Sequence, residues 1–359
     1  MTKVFFNQNI ISPYRLPLFE KLNEDYEVEV WFHRENSDER KWETELENYN
    51  FDSKILKNFQ IGPITYNPGF FLKLLQKDFD VYLINENPST FLSSFAVLAV
   101  AKLKKKPVII WSETIDTEKS KELPETLFKK IPVKVWRVFK ETYRRILFKF
   151  SDRFVAFSKM AENFLTRRGV GKEKIEAQMQ VMPEELLLET ENHNLDDKYS
   201  EYKTIFSLGY LEERKGVQDL IEAFKQVEGE KHRLVIAGTG PYEEELKKKA
   251  EEDKRIEFVG YLSEQEKANY FDMADVFVLP THHDPWGLVV NEALHYNIPV
   301  ITTEAAGAKS LLTQEKIYKP GDTEELLKLL KKDFKPIKNL IKLEDGLKAI
   351  NKTIVELTD

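Results

Sequence analysis

Short, nearly continuous apolar runs alternate with segments of helical periodicity along most of the chain, and this alternation restricts the fold more than any other sequence feature. In the first half the apolar runs are residues 3–8, 28–32, 81–85, 107–111 and 153–158. Such runs are typical of strands buried on both faces of a parallel sheet, where crossover helices cover both sides. Residues 34–60 are polar and weakly periodic, so no element is predicted there.

The alternation stops at an acidic segment, residues 182–203, and then begins again. The second series has predicted strands at 204–210, 233–238, 256–260, 276–280 and 299–303, with helices at 216–227, 242–252, 263–273 and 288–297. A chain of 359 residues is long for one domain. The sequence therefore predicts an α/β protein with two Rossmann-like, doubly wound domains, 1–182 and 204–336, joined by a linker at 183–203.

Composition excludes several classes of protein. The net charge of −7 argues against nucleic-acid binding, which calls for a basic surface. The chain has no cysteine, which excludes disulfides and thiolate metal sites and fits a reducing compartment. The N-terminus is predicted to be a first strand rather than a signal peptide, and the apolar stretch 91–103 is too short to span a bilayer. These features predict a cytoplasmic protein.

The segment from Asp284 to Glu292 carries two carboxylates around a predicted helix start. Asp284 follows the strand 276–280, at the carboxyl end where open α/β sheets bind ligands. The N–H groups of Gly287, Leu288 and Val289 precede the helix interior and suit a diphosphate. The alternative is a capped helix with a solvated glutamate.

A second motif places Arg214 and Lys215 just before Gly216, in the loop that follows the first strand of this half. A lysine here can neutralise the charge that builds up on a departing diphosphate. The alternative is an ordinary basic residue in a loop.

Four segments of the second half resemble, in order and spacing, the donor domain of glycosyltransferase family four. They are residues 207–224, 234–246, 258–281 and 284–301. The resemblance implies a retaining enzyme of the GT-B fold, with two domains facing each other across a cleft. It also implies a C-terminal helix, residues 337–359, that crosses back to the first domain.

The resemblance also implies roles for individual residues. Asp284, where the family more often has glutamate, is expected to contact the donor sugar, and Glu292 to accept hydrogen bonds from the ribose. The family's arginine after Gly209 is replaced by Tyr210, and Arg214 is the expected substitute. The remaining residues implied at the donor are Gly238 and Gly240 near the nucleotide, Tyr261 and Leu262 at the base, and Trp286 in the loop. A Gly-Thr-Gly-Pro turn explains Gly238 and Gly240 nearly as well, and Pro241 is predicted to begin a helix.

In the first half, the acceptor-side candidates follow predicted strands. Ser12, Tyr14 and Arg15 lie in the loop after the first strand, where the family's glycines are absent and Arg15 is expected to replace part of a phosphate contact. Glu113 ends the strand 107–111, at an edge where acceptor residues occur in the family. A role in capping the core is equally compatible with Glu113.

Residues 128–150 combine aromatic and basic side chains at helical spacing. One predicted face contains Trp136, Phe139, Tyr143, Ile146, Leu147 and Phe150, and the rest of the surface contains Lys134, Arg137, Lys140, Arg144 and Arg145. This composition suits anionic lipid headgroups, which implies peripheral contact with the inner face of a membrane. The alternative is an amphipathic helix packed on its own core.

The sequence thus predicts a retaining transfer of sugar from a UDP- or GDP-sugar to a hydroxyl of a glycan or lipid-linked acceptor. Lys215, Arg214, Asp284 and Glu113 are the predicted catalytic residues, and no cofactor or metal is expected. Neither Asp78 with Asp80 nor His282 with His283 offers a convincing metal site. The alternatives are a GT-B sugar-nucleotide epimerase and a non-catalytic partner that binds nucleotide sugars.

Overall fold

The computed structural model describes residues 1–35, 46–62, 64–116, 133–190, 194–335 and 342–358. The chain divides into two compact units, Met1–Met179 with Leu343–Asp359, and Gln180–Lys342. Each unit contains a parallel sheet with helices, which confirms the predicted α/β class.

The first unit contains nine strands among its described residues. They are β1 (Lys3–Ile10), β2 (Glu27–Arg34), β3 (Asp52–Ile55), β4 (Phe59–Ile61), β5 (Ile64–Tyr66), β6 (Val81–Asn85), β7 (Val108–Ser112), β8 (Arg153–Ala156) and β9 (Ile175–Ala177). Seven of them form a parallel sheet in the order β3-β2-β1-β6-β7-β8-β9, while β4 and β5 pair antiparallel as a separate hairpin. The order reverses direction at β1, as a doubly wound sheet requires.

Helices cover both faces of this sheet. They are α1 (Leu16–Asp25), α2 (Phe70–Leu75), α3 (Phe91–Leu103), α4 (Val133–Phe150), α5 (Lys159–Arg167) and α12 (Lys348–Thr358). Phe5 packs in a core with side chains of α2, α3, α4 and α5. Its neighbour Phe6 points to the other face, where its ring contacts Phe19 of α1, because successive side chains of a strand alternate.

The described residues of the second unit form six strands, all parallel, in the order β12-β11-β10-β13-β14-β15. They are β10 (Lys203–Leu208), β11 (His232–Ala237), β12 (Ile256–Gly260), β13 (Val276–Leu279), β14 (Val300–Thr303) and β15 (Ile317–Tyr318). The helices are α6 (Asn194–Tyr199), α7 (Val217–Lys225), α8 (Glu243–Ala250), α9 (Glu264–Asp272), α10 (Val289–His295) and α11 (Thr323–Leu330). Ile205 and Phe206 of β10 lie in separate cores on the two faces.

The structure differs from several predicted details. Pro241 lies in a turn, and α8 begins only at Glu243. The segment 34–60 contains β3, whose four residues are all exposed and so lack an apolar pattern. The predicted linker 183–203 contains α6, and the unit boundary falls after Met179. No helix of the described residues is long and apolar enough to cross a membrane.

Candidate functional site

The candidate site lies where three neighbouring strands of the second unit end. β13 pairs in parallel with β10 on one side and β14 on the other, so their carboxyl ends share one edge of the sheet. Lys215 lies in the loop after β10, Asp284 in the loop after β13, and Gly307 in the loop after β14. This edge is where open α/β sheets bind ligands.

Lys215 and Asp284 form an ion pair at this edge. Lys215 Nζ donates to Asp284 Oδ2 at 2.6 Å, and the two side chains are only 17% and 11% exposed. Asp284 Oδ1 accepts the backbone N–H of Trp286 at 3.2 Å. Burial acts to raise the pKa of Asp284, but the charge and hydrogen bond of Lys215 outweigh it, and the pKa lies below its usual value. Asp284 is therefore a carboxylate at neutral pH.

Hydrogen bonds of Arg214 connect the turn that carries Lys215 to the loop that carries Asp284. The carbonyl of Arg214 accepts the N–H of His282 at 2.8 Å and the hydroxyl of Thr281 at 3.2 Å. Arg214 Nη1 donates to the carbonyl of His283 at 3.1 Å. These bonds hold the predicted cations beside the predicted acid.

Gly216 permits this close approach. Its φ is +70°, and a Cβ at this position would lie 2.0 Å from the carbonyl oxygen of Pro280. Any larger residue would both strain the backbone and separate the two loops. The Lys-Gly sequence therefore has a steric reason as well as an electrostatic one.

His282 makes a further contact between the same elements. Its Nε2 hydrogen-bonds the carboxylate of Asp219, which lies in the first turn of α7. This bond, with a smaller contribution from Glu213, raises the pKa of His282 above its usual value although burial opposes the shift. The carboxylate of Asp219 thus holds His282 next to the turn that carries Lys215.

The loop after β14 fixes Asp284 from the other side. The N–H of Asp284 donates to Ala305 O, and the N–H of Gly307 donates to Asp284 O, both at 3.1 Å. A Cβ on Gly307 would lie 2.0 Å from Pro285 O, so the loop approaches because this residue is glycine. The sequence motifs did not include this loop.

The helix α10 begins one residue later than predicted, at Val289, with Leu288 as its N-cap. The N–H of Val290 donates to Gly287 O at 2.9 Å. The N–H groups of Gly287, Leu288 and Val289 precede the helical ladder, as expected for the first groups of a helix. Trp286 is buried, and its Nε1 donates to Asn291 Oδ1 at 2.7 Å, so its indole supports the loop from the core.

Glu292 is buried within α10 and faces a lysine that the sequence did not single out. Its Oε2 lies 3.6 Å from Nζ of Lys267 on α9, and Lys267 also pairs with Glu264 at 2.6 Å. Burial raises the pKa of Glu292, and the charge of Lys267 only partly opposes this. No local pattern joins α9 to α10, which is why Lys267 was missed.

The two glycines after β11 have a packing role. A Cβ on Gly238, whose φ is +118°, would lie 1.8 Å from Gly209 O, and one on Gly240 would lie 2.3 Å from Leu211 O. Because both residues are glycines, the backbone of the loop after β11 can pack directly against the loop after β10. This matches the turn alternative, and it also places Gly238 and Gly240 next to Gly209.

Three other predicted donor residues differ in exposure. Tyr210 and Tyr261 are exposed, whereas Leu262 is buried in a core of the second unit. Tyr210 follows Gly209 at the end of β10, and Tyr261 follows β12. Leu262 therefore supports this edge from within, and Tyr261 is the more accessible of the two residues predicted at the base.

In the first unit, Arg15 and Glu113 form an ion pair in which Arg15 is 5% and Glu113 30% exposed. Arg15 Nη1 also donates to Gln8 Oε1 at 2.9 Å, and its guanidinium lies 5.4 Å from the ring of Trp111. The other two candidates are near it, since Ser12 O accepts the N–H of Arg15 and the ring of Tyr14 lies 5.5 Å from the guanidinium. Arg15 is thus held inside the unit rather than presented as a phosphate contact, and Glu113 is the accessible partner.

The predicted faces of residues 128–150 need correction. Residues 128–132 lie outside the described residues. Arg144 was assigned to the surface but is buried, and its Nε donates to Glu86 Oε1 at 2.5 Å. Ile146 and Phe150 were assigned to the packed face but are exposed. The buried face of α4 therefore differs from the predicted face, because the Arg144–Glu86 ion pair occupies part of it.

The two carboxylates of the rejected Asp78–Asp80 site form ordinary ion pairs. Asp78 and Asp80 pair with Lys104 and Lys106 at 3.5 and 2.8 Å. Across the described ranges, no three His, Cys, Asp or Glu side chains group as metal ligands would.

Comparison with known proteins finds relatives of the second unit. Residues 189–335 match the model of the family described as glycosyl transferases group 1. Sulfoquinovosyl transferase SQD2 of Arabidopsis thaliana is 30% identical over 126 residues, which cover 33% of this chain and 24% of that protein. Alpha-monoglucosyldiacylglycerol synthase of Streptococcus pneumoniae is 35% identical over 104 residues, covering 28% of this chain and 24% of that protein. The chain thus covers about a quarter of the length of these curated relatives.

The fold comparison extends over the whole chain. The crystal structure of Anabaena HepE in complex with UDP superposes with a TM-score of 0.69 at 15% identity, covering 99% of this chain and 97% of that one. The chain therefore has the GT-B fold of two Rossmann-like domains. The match to the glycosyl transferases group 1 model lies within the second unit and includes Lys215, Asp284 and Glu292.

Proposed function

We propose that this chain is a retaining glycosyltransferase that moves a sugar from a UDP- or GDP-sugar to a hydroxyl group of a glycan or lipid-linked acceptor. The observation that carries the proposal is the Lys215–Asp284 pair at the carboxyl edge of the second sheet, next to the start of α10. The group 1 match and the names of the curated relatives support the same class of reaction.

In this proposal the cations of the Lys215 turn receive the diphosphate of the donor. An ammonium group has three N–H donors, so Lys215 can bind Asp284 and a phosphate oxygen together. Arg214 supplies a second positive charge, and the N–H groups of Gly287, Leu288 and Val289 supply neutral donors. Donors that already point at the site of the leaving diphosphate stabilise its charge in the transition state, and each lowers the barrier by roughly 3 kcal/mol.

The carboxylates bind the uncharged parts of the donor. Asp284, ionised and fixed by two loops, faces the sugar hydroxyls. Glu292 accepts hydrogen bonds from the ribose, with Lys267 holding its carboxyl in place. Tyr261, exposed at the same edge, packs against the base.

The reaction proceeds on one face of the sugar. The bond from the anomeric carbon to the diphosphate oxygen breaks, and its electron pair stays on the diphosphate. The acceptor hydroxyl oxygen bonds to the same carbon from the same side, and its proton passes to the departing diphosphate. No protein nucleophile is used, and Glu113 orients the acceptor. Because no metal ion takes part, transfer continues in the presence of a chelator.

Replacing Glu292 tests the donor site. Glu292→Gln should weaken binding of the UDP- or GDP-sugar about tenfold or more, because one of the two buried oxygens that accept ribose hydrogen bonds is replaced by an NH2 donor. Isothermal titration measures the affinity. Glu264→Gln is the matched control, since Glu264 contacts the same Lys267 but is exposed. Unchanged affinity in Glu292→Gln would refute the assignment.

Replacing Lys215 tests catalysis. Lys215→Met should lower kcat by about a hundredfold, because the charge opposite the leaving diphosphate is removed. Product analysis in the same assay separates transfer from the alternatives. Epimerised nucleotide sugar would indicate an epimerase, and donor binding without turnover would indicate a non-catalytic partner.

The exposed side chains of α4 support peripheral contact of the chain with the inner face of a membrane. On α4, Arg137 and Arg145 are exposed beside Val135 and Val138, whose side chains also face solvent. Arg137→Glu with Arg145→Glu should weaken binding to anionic vesicles tenfold or more, at ~1 kcal/mol for each basic residue removed. Lys172→Glu, another exposed site of the first unit, is the control.

A further inference from the structure

The β4–β5 hairpin presents an apolar face to solvent. The pairing places Phe59 opposite Tyr66 and Ile61 opposite Ile64, so these four side chains share one face. Phe59, Ile61 and Tyr66 are 51%, 54% and 43% exposed. A hairpin on a water-facing surface normally has the opposite arrangement, with its apolar side turned to the core.

The other face of the hairpin is polar, with Gln60 exposed and Thr65 buried. Thr65 is fully buried, and Gln60 Nε2 donates to its hydroxyl at 3.1 Å. The exposed apolar side chains of the hairpin therefore lie on the face opposite to Thr65, which is the side chain that enters the core.

The helix that follows the hairpin extends this surface. Within α2, Phe70 and Leu74 pack in the core of the first unit, while Phe71, Leu72 and Leu75 are exposed. The hairpin–helix surface is defined here as Phe59, Ile61, Tyr66, Phe71, Leu72 and Leu75. Apolar groups concentrated in this way mark a site for a protein or a membrane.

The charges around the surface select between these partners. From Lys54 to Lys77 the sequence contains four lysines and no acidic residue, in a chain whose net charge is −7. Lys77 pairs with Glu29, and Lys57 lies 5.8 Å from the ring of Phe59, so a cation borders the apolar face directly. A symmetric dimer would bring these lysines of two copies together, while Glu29 is already paired with Lys77 of its own copy.

We propose that the hairpin–helix surface docks onto a bilayer that contains anionic lipid. The apolar side chains enter the boundary between headgroups and acyl chains, and the lysines bind the lipid phosphates. α3 packs against both α2 and α4, so this surface belongs to the same helical layer as α4. The inference deepens the membrane contact proposed for α4 and does not depend on sugar transfer.

Vesicle binding by the full chain tests the inference. Sedimentation is compared for vesicles of phosphatidylcholine alone and of phosphatidylcholine mixed with phosphatidylglycerol. The native chain should bind the mixed vesicles, and Phe59→Ser with Ile61→Ser should weaken that binding about tenfold or more, because two apolar side chains no longer leave water. Val355→Ser, which removes an exposed apolar side chain from α12, should bind as the native chain does.

Other outcomes overturn the inference. Native-like vesicle binding by the hairpin variant, with loss only in Arg137→Glu/Arg145→Glu, would assign the contact to α4 alone. No binding of the native chain to mixed vesicles would refute the surface outright. A native dimer that the hairpin variant converts to monomer in ultracentrifugation would identify a second copy as the partner. Donor affinity, measured separately, decides the proposed enzymatic function without bearing on this surface.

Discussion

At the scale of single residues, the candidate site depends on contacts between parts of the chain that are distant in sequence. Lys215 and Asp284 are 69 residues apart, yet each could be predicted because each belongs to a local motif next to a glycine or a helix start. Lys267 could not be predicted, because its only link to the site is its proximity to Glu292 across two helices. Local motifs therefore identify candidate residues such as Lys215 and Asp284, whereas partners such as Lys267 become known only from the packing of the helices.

The His282–Asp219 pair predicts a pH dependence of stability. The pKa of His282 is raised in the folded chain, so the pair stabilises the fold fully below the unfolded pKa of about 6.5 and loses this contribution as pH rises through the folded value. His282→Gln should therefore lower the free energy of unfolding more at pH 6 than at pH 9. Urea denaturation at each pH measures the difference.

Asp219→Asn provides the control for this prediction. With the carboxylate removed, the effect of His282→Gln should no longer vary in the same way with pH. An equal effect of His282→Gln at both pH values in the native background would contradict the prediction, and would mean that the contact with Asp219 carries no net charge interaction.

At the scale of elements, α4 shows how far a periodic pattern determines packing. Its helical spacing predicts the helix, but Arg144 lies in the interior because Glu86, at the end of the neighbouring strand β6, supplies a buried carboxylate. Ser112 also donates to Glu86, at 3.1 Å. A pattern of basic and apolar residues cannot reveal which basic residue finds an internal partner.

Arg144→Met should lower the free energy of unfolding by about 3–5 kcal/mol, because it leaves the fully buried carboxylate of Glu86 without its cation. Arg145→Met, at the exposed neighbouring position, should change it little. Adding Glu86→Gln to Arg144→Met should recover part of the loss. Equal effects of Arg144→Met and Arg145→Met in chemical denaturation would disprove the importance of the buried pair.

At the scale of the whole molecule, the chain forms two units, each with its own cores. The first unit is completed by the end of the chain, since α12 packs on β6, β8 and β9. Ile350 and Ile354 of α12 are fully buried there, and the N–H of Ile350 donates to Gln178 Oε1 at 3.3 Å. The stability of the first unit therefore depends on residues that follow the second unit in sequence.

Ile350→Ala should lower the stability of the first unit by about 2–5 kcal/mol, because it leaves a cavity under α12. In calorimetry the transition of the first unit should move to lower temperature, while UDP should raise the transition of the second unit by mass action. Val355→Ala, on the exposed side of the same helix, is the control. A shift of the UDP-sensitive transition in Ile350→Ala would contradict the prediction.

The α/β class, the central strands of both sheets and the motifs around Lys215, Asp284 and Glu292 could be predicted from the amino-acid sequence. These follow from apolar periodicity and local spacing, which act over a few residues. Three features depend on tertiary packing: the burial of Arg15 and Arg144, the contact of Lys267 with Glu292, and the position of β3 at the edge of a sheet. These outcomes depend on which elements become neighbours, because the free energy of a charge or a short strand is set by the groups that surround it.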